Sequence, residues 1–292
     1  MQRNVDGTGS LYVVGTPIGN LEDITFRAVR ILREVDFIAA EDTRHTKKLL
    51  THFDIPVKDL FSYHEHNERT AAKHIVDRVL EGQHGAVVSD AGMPAISDPG
   101  QEVVNLAIAH GISVIVVPGP SAVLTALCGS GLATGSFYFH GFLSREAKHR
   151  QKELEALRNR KETLIFYEAP HRIEKTLNNL HAVFGDRQAV VARELTKVHE
   201  EYIRGCLTGE DGFFGDSPVR GEMVIVVQGI DSVQQEHLAD ALLPITQHVQ
   251  LLVQEGADKK EAMREVARLH GISRRDVYQA LLDQEAGQEE NP

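Results

Sequence analysis

The sequence predicts an α/β protein of two lobes, the first on a parallel sheet and the second on a mixed sheet, followed by a small helical module. Three observations lead there. In the first half, short and continuously apolar runs alternate with helical periods, as in parallel strands covered on both faces. In the second half one strand follows another with no helix between, and its alternating residues read as antiparallel pairing. Beyond about Leu238 no strand signal remains.

In the first lobe, residues 10–133, strands are expected at 11–14, 37–40, 86–88 and 112–117. Phe26, Val29, Leu32 and Val35 mark one intervening helix, and Ile75, Val76, Val79 and Leu80 another, because apolar residues three and four apart share a helix face. The second lobe, residues 134–230, is expected to hold strands at 137–139, 163–167, 189–192, 202–207 and 223–227. Helices are expected there at about 145–160 and 171–183. Residues 238–284 form the helical module, and 285–292 read as a frayed acidic tail.

Composition narrows the function classes. A chain of 292 residues has room for about two domains with cores of their own. Cys128 and Cys206 stand far apart and in no paired motif, which fits a reducing compartment and offers no thiolate metal site. The first ten residues lack the apolar core of a secretory signal, and the longest largely apolar run, 112–118, is too short to cross a bilayer. The chain therefore reads as cytoplasmic, with no membrane partner. With 31 basic and 42 acidic residues the net charge is −11, which argues against a nonspecific nucleic-acid coat but permits local basic faces.

In open α/β sheets ligands bind beyond the carboxyl ends of the strands, so the loops there are the candidate site. Gly15-Thr16-Pro17-Ile18-Gly19-Asn20 is glycine-rich, but it fits neither GxGxxG nor a Walker loop, which disfavours a dinucleotide or NTP site. The loop from Asp90 to Gly100 contains Asp98-Pro99, read as a side-chain N-cap followed by proline at the first helical position. Pro118-Gly119-Pro120-Ser121-Ala122 runs from a strand into a helix N-terminus, whose free N–H groups suit a carboxylate or phosphate. Glu41, Asp42, Glu168 and Glu194 share the strand ends with Arg44, Arg172, Arg193 and Lys197. They form either ion pairs at the sheet rim or a mixed-charge cleft. His64 and His66 flank Glu65, but HxH without a third ligand is a weak metal motif, and no metal is expected.

Taken in order, these loops resemble the tetrapyrrole methylase family. The resemblance is carried by GTPIGNL at 15–21, EDTR at 41–44, SDAGMP at 89–94, SDPG at 97–100 and PGPSA at 118–122. YEAPHR at 167–172, ARELTK at 192–197 and GEMV at 221–224 continue it. It implies a two-lobed tetrapyrrole-methylase-like fold, S-adenosylmethionine as cofactor between the lobes, and a homodimer. It also implies that Pro17, Asp90, Ala91, Gly92, Ser121 and Ala122 bind the cofactor from the first lobe. Asp90 to Pro94 and Ser121-Ala122 would hold its methionine end, while Tyr167, Leu195 and Met223 line its adenosine pocket from the second lobe. The first loop departs from the Gly-Pro-Gly-Asp type of the tetrapyrrole-modifying members. The chain is more similar to members that 2′-O-methylate a cytidine of 16S rRNA in the decoding region of the small ribosomal subunit.

Two segments supply a basic face for such an RNA. Residues 145–161 carry seven Lys or Arg against three Glu, enough to track a phosphate backbone. Ala267, Gly271 and Val277 occupy the fifth, ninth and fifteenth positions of a helix-turn-helix pattern, with Ser273 capping the second helix. Arg274 and Arg275 open that helix, and Lys259, Lys260, Arg264 and Arg268 lie nearby, as in a nucleic-acid contact. A ribose hydroxyl acceptor needs positioning and a base, for which Asp42, His64, Glu65 and Lys197 have suitable chemistry. Arg44 and Arg172 are candidates to hold phosphates bidentately. Competing readings are a methylase of a tetrapyrrole-like small molecule, a non-catalytic RNA-binding assembly factor, and a metal-dependent hydrolase using Asp90, Asp98 and histidines.

Overall fold

The computed structural model describes residues 7–57, 59–207, 213–214, 221–230, 244–254, 256–270 and 272–289. The chain divides into two compact units, one holding residues 1–157 and 162–228, the other 158–161 and 229–292.

The first sheet of the larger unit is wholly parallel. Its strands are β1 (Ser10–Val14), β2 (Phe37–Ala40), β3 (Leu60–Ser62), β4 (Gly85–Val88) and β5 (Ser113–Val117), in the order β3-β2-β4-β1-β5. The edge strand β3 escapes the sequence reading because it is three residues long and only partly buried. Alternate side chains feed two cores. Ile38 and Ala40 pack with α1 (Phe26–Glu34) and with Leu50 of α2 (Thr43–His52). Phe37 and Ala39 pack on the other face with α3 (Glu68–Leu80) and α4 (Gln101–Ala109). The α1 face differs from the expected one: Ala28, Ile31 and Leu32 are buried, whereas Phe26 at its first position is 97% exposed.

The helix expected to start on Asp98-Pro99 starts later, with Gly100 at φ 147° as the residue before α4. The intervening loop winds through Ala95 at φ 70° and Ser97 at φ 63°, which frees Asp98 from capping.

The next helix, α5 (Ala122–Ser130), leaves the first sheet and packs on the second. That sheet contains β6 (Phe137–Phe142), β7 (Thr163–Glu168), β8 (Gln188–Arg193), β9 (Glu201–Cys206) and β10 (Met223–Val227), in the order β6-β7-β10-β8-β9. Only the β6–β7 pair is parallel; β10 lies buried between β7 and β8, antiparallel to both. Helices α6 (Ala147–Leu157) and α7 (Ile173–Phe184) cover one face, joined by Phe166, Val191 and Ile225. Val123, Ala126 and Leu127 of α5 cover the other, against Ile165, Val190 and Val226. Tyr202 Oη donates to the Thr125 carbonyl at 3.0 Å. So α5 ties the two sheets together.

The smaller unit contains α8 (Ile245–Gln254), α9 (Lys259–Leu269) and α10 (Arg274–Glu289) around Val249, Val266, Ala267, Val277 and Leu281. Ala267 and Val277 share this core as the helix-turn-helix spacing requires; Gly271 and residues 238–243 lie outside the described residues. Ser273 Oγ accepts from Asp276 N–H at 3.2 Å while the Asp276 carboxylate accepts from Ser273 N–H at 3.1 Å, a reciprocal capping box. The last helix continues to Glu289 instead of fraying at 285. Among the described residues no helix is long and apolar enough to cross a membrane.

Candidate active site

Three loops meet beyond the carboxyl ends of β1, β4 and β5. Thr16 and Gly92 exchange backbone hydrogen bonds of 2.9 and 3.1 Å, which staple the loop after β1 to the loop after β4. The loop after β5 approaches so closely that a Cβ on Gly15 would meet Gly119 Cα at 2.7 Å. The first loop also reaches the second sheet: Asn20 N–H donates to Thr196 Oγ1 at 3.0 Å, and a Cβ on Gly19 would meet Lys197 Cγ at 2.6 Å.

These contacts enclose a cavity of about 300 Å³, a usual size for a small-molecule site. The first sheet's loops contribute Ile18, Ala91, Gly92, Met93, Ile96, Ser97, Asp98, Ser121 and Ala122. The second sheet contributes Phe142, Tyr167, Glu168, Ala169, Pro170, Leu195, Glu222, Met223 and Val224. Among the described residues the lining holds three acids and no Lys, Arg or His; Arg172 and Lys197, outside the lining, pair with Glu168 and Glu222. At one end Ser121 caps α5 by accepting from Leu124 N–H at 3.4 Å, and the positive end of that helix suits an anionic group.

Burial shapes the proton affinities. Asp98 is pushed up to about 7, chiefly by desolvation and further by the charges of Glu41 and Asp90. Tyr167 is pushed up to about 12 by burial, with the Asp98 charge adding to it. Its ring packs against Phe139 and Phe142 at 5.0 and 5.4 Å between centroids. Burial also raises Glu41, against a hydrogen bond from Asp90 N–H.

Seven of the nine residues expected to bind a cofactor line this cavity: Ala91, Gly92, Ser121, Ala122, Tyr167, Leu195 and Met223. Pro17 and Asp90 lie outside the lining, and Ile18 stands where Pro17 was expected. Asp90 accepts from Asp42 N–H at 2.9 Å and meets His45 Nδ1 at 3.2 Å. Asp42, His45 and Asp90 bring ligand-type atoms within 4.8 Å of one another.

The four acid–base candidates Asp42, His64, Glu65 and Lys197 are all absent from the lining. Asp42 caps α2, and bonds to Arg44 hold its carboxyl far below the ordinary range. For Lys197, burial opposes the charge, but hydrogen bonds to Glu194 and Glu222, both 2.9 Å, outweigh it and keep the amine protonated. A base must be deprotonated, so this geometry disfavours Lys197.

Arg44 is exposed and bound to Asp42 at 2.6 Å. Arg172 corrects the expectation of a phosphate grip: its guanidinium is largely buried, 3.2 Å from Glu168 and donating to the Leu143 carbonyl at 2.8 Å. The fold consumes it. Arg150 is likewise buried, donating to the Ser144 and Arg145 carbonyls, so the basic face at 145–161 is smaller than its composition implies. Arg274 and Arg275 stand exposed at the start of α10.

Asp98, expected in a candidate loop but as a helix cap, lines the cavity, and Phe142 and Glu222 join it without having been expected there. Glu222 was detectable as the neighbour of Met223, whereas Phe142 enters through a bulge at Gly141 in β6.

A family profile described as tetrapyrrole (corrin/porphyrin) methylases matches residues 10–209. A protein of Halalkalibacterium halodurans named ribosomal RNA small subunit methyltransferase I is 50% identical over 274 residues, covering 94% of each chain. Bearers of the same name from Bacillus subtilis and Synechocystis are 46% and 44% identical, covering 93% and 95% of this chain and 94% and 99% of theirs. Among solved structures, the fold is similar to uroporphyrin-III C-methyltransferase from Thermus thermophilus, with TM-score 0.55, 20% identity, and coverage of 81% of this chain and 99% of that one. It is also similar to cobalt precorrin-4 methyltransferase, with TM-score 0.58, 18% identity and coverage of 78% and 97%.

Proposed function

Since the chain belongs to the tetrapyrrole (corrin/porphyrin) methylase family, we propose that it is an S-adenosylmethionine-dependent methyltransferase acting on 16S rRNA of the small ribosomal subunit. The observation that carries the cofactor is a cavity lined by three acids and no base, closed at one end by a helix N-terminus. A sulfonium suits the acids, and a methionine carboxylate suits the N–H groups that open α5. Ile18, Leu195, Met223 and Val224 offer apolar walls to a purine. The residues present fit the group, which supplies an electrophilic methyl carbon.

The substrate rests on the relatives, which are named as small-subunit rRNA methyltransferases across nearly their full length. The acceptor is the 2′-hydroxyl of a cytidine. The exposed Arg274 and Arg275 of the helical module contact RNA phosphates, a role their position at a capped helix start supports. The protein acts as a homodimer, whose interface would cover apolar side chains such as Phe26 and Val198, 97% and 95% exposed.

The test is to incubate the protein and methyl-labelled S-adenosylmethionine with small subunits lacking the modification, then digest the RNA to nucleosides. Label is expected in the ribose of a cytidine. Label on a base, label in protein only, or turnover of a corrinoid without RNA would each contradict the proposal.

A further inference from the structure

Methyl transfer to a hydroxyl releases a proton, and the cavity wall contains a group placed to receive it. Of the three lining acids, Glu168 is spent on the fold: its carboxylate accepts from Thr176 Oγ1 at 2.6 Å and from Ala169 N–H at 2.9 Å, and pairs with Arg172. Glu222 pairs with Lys197 at 2.9 Å. Asp98 alone among the three has no hydrogen bond or ion pair on its carboxylate among the described residues.

Its loop is held in one conformation at a cost. Ala95 and Ser97 occupy the left-handed region at φ 70° and 63°, which non-glycine residues avoid unless the surroundings impose it. Here they do: Ala95 N–H donates to the Pro99 carbonyl at 3.2 Å, and Gly100 N–H donates to Glu68 at 3.1 Å. From the second sheet, a Cβ on the bulge residue Gly141 would come within 3.2 Å of Ser97 Oγ. These contacts fix the backbone that carries Asp98 at the cavity wall.

We propose that Asp98 is the catalytic base that accepts the proton of the acceptor ribose hydroxyl. This rests on the proposed methyl transfer to RNA. As the hydroxyl oxygen bonds to the methyl carbon, the carbon–sulfur bond breaks and its electron pair stays on sulfur. The proton passes to the Asp98 carboxylate, so a sulfonium and a carboxylate become a neutral thioether and a carboxylic acid. Burial raises the proton affinity of Asp98 to about 7, where a base is both ionised and strong at neutral pH. The titratable groups facing it are Glu41 and Asp90 from the first sheet, and Tyr167, Glu168 and Glu222 around the same cavity. All but the phenol are carboxylates, and none lowers its proton affinity.

The experiment compares wild type, Asp98→Asn and Asp98→Glu. Carboxyl carbon-13 NMR of the cofactor-free protein should show one aspartate titrating near 7, absent from Asp98→Asn. Calorimetry should give S-adenosylmethionine affinities within about 3-fold for all three, while the single-turnover rate on small subunits falls about 10²–10⁴-fold in Asp98→Asn. The wild-type rate should rise tenfold per pH unit to a plateau, with a midpoint below that of the cofactor-free protein because the sulfonium charge favours the carboxylate, and Asp98→Glu should restore part of it. Wild-type labelling with an equally active Asp98→Asn overturns the base alone. A large loss of cofactor affinity with an unchanged rate at saturation also overturns it, by making Asp98 a cofactor ligand. A wild type that binds cofactor but labels no RNA sinks the methyl-transfer reading first and the base with it.

Discussion

Ser121, at the start of α5, and Tyr167, near the end of β7, line one cavity although their strands belong to different sheets. The Val123 backbone N–H of α5 offsets part of the burial that raises the Tyr167 hydroxyl. The site is thus made by helix α5 crossing from one sheet to the face of the other, and changes in the loop contacts should reach the ligand.

Gly15→Ala tests the loop convergence. The new methyl would meet Met93 Sδ at 2.6 Å and the Gly119 backbone at 2.7 Å, and backbone cannot move aside cheaply. Overpacking of this kind costs about 1–3 kcal/mol. We expect a midpoint lowered by about 3–10 °C in thermal unfolding, with at least tenfold weaker S-adenosylmethionine binding in calorimetry.

Asp98→Asn should stabilise the protein at alkaline pH. Burial penalises the ionised form, so the penalty is absent below the ordinary aspartate value of 3.8 and complete above about 7. Stability contributed by this group therefore falls as pH rises through that window. Because the side chain is partly exposed and screened, the expected gain is only about 2–4 °C at pH 8, with none at pH 4. Thermal scans at the two values check it; equal midpoints at pH 8 would refute the burial argument.

The parts of the molecule legible in the sequence are those where chemistry and period agree. Strands such as β2 and β10 are buried along their whole length, so their continuous apolar runs announce them. The loops after β1, β4 and β5 announce themselves through Gly, Pro and Ser. What stayed hidden depends on three-dimensional context. Asp98 before Pro99 satisfies a helix-start pattern, but the left-handed residues at 95 and 97 move the start to Gln101. Arg172 looks like a free cation until Glu168 is seen buried beside it. Phe26 has the right spacing for the core, yet sits on the turn that points away from it.

Arg172→Ala should behave as a folding mutation. It strips the cation from a carboxylate whose side chain is 0% exposed, and removing one partner of a buried pair costs about 3–5 kcal/mol. Urea unfolding should show that loss. A variant of wild-type stability that loses only RNA affinity would restore the phosphate role.

In the helical module, Arg274→Ala with Arg275→Ala should weaken small-subunit binding while leaving cofactor affinity and the unfolding midpoint unchanged. Two fewer phosphate contacts flatten the plot of log affinity against log salt by about 1.5–2. Ser273→Ala should instead loosen α10 by about 1 kcal/mol, since Ser273 Oγ accepts from Asp276 N–H at 3.2 Å. Filter binding across a salt series separates the two outcomes.

Loops of both sheets build one pocket for S-adenosylmethionine, and a calorimetric titration without RNA examines that directly. The wild-type chain should bind one cofactor per protomer, and Ser121→Trp, which fills the cavity at the α5 start, should bind none while still folded by circular dichroism. A wild-type protein that gives no heat with the cofactor, or a Ser121→Trp variant that binds it as well as wild type, would contradict the account.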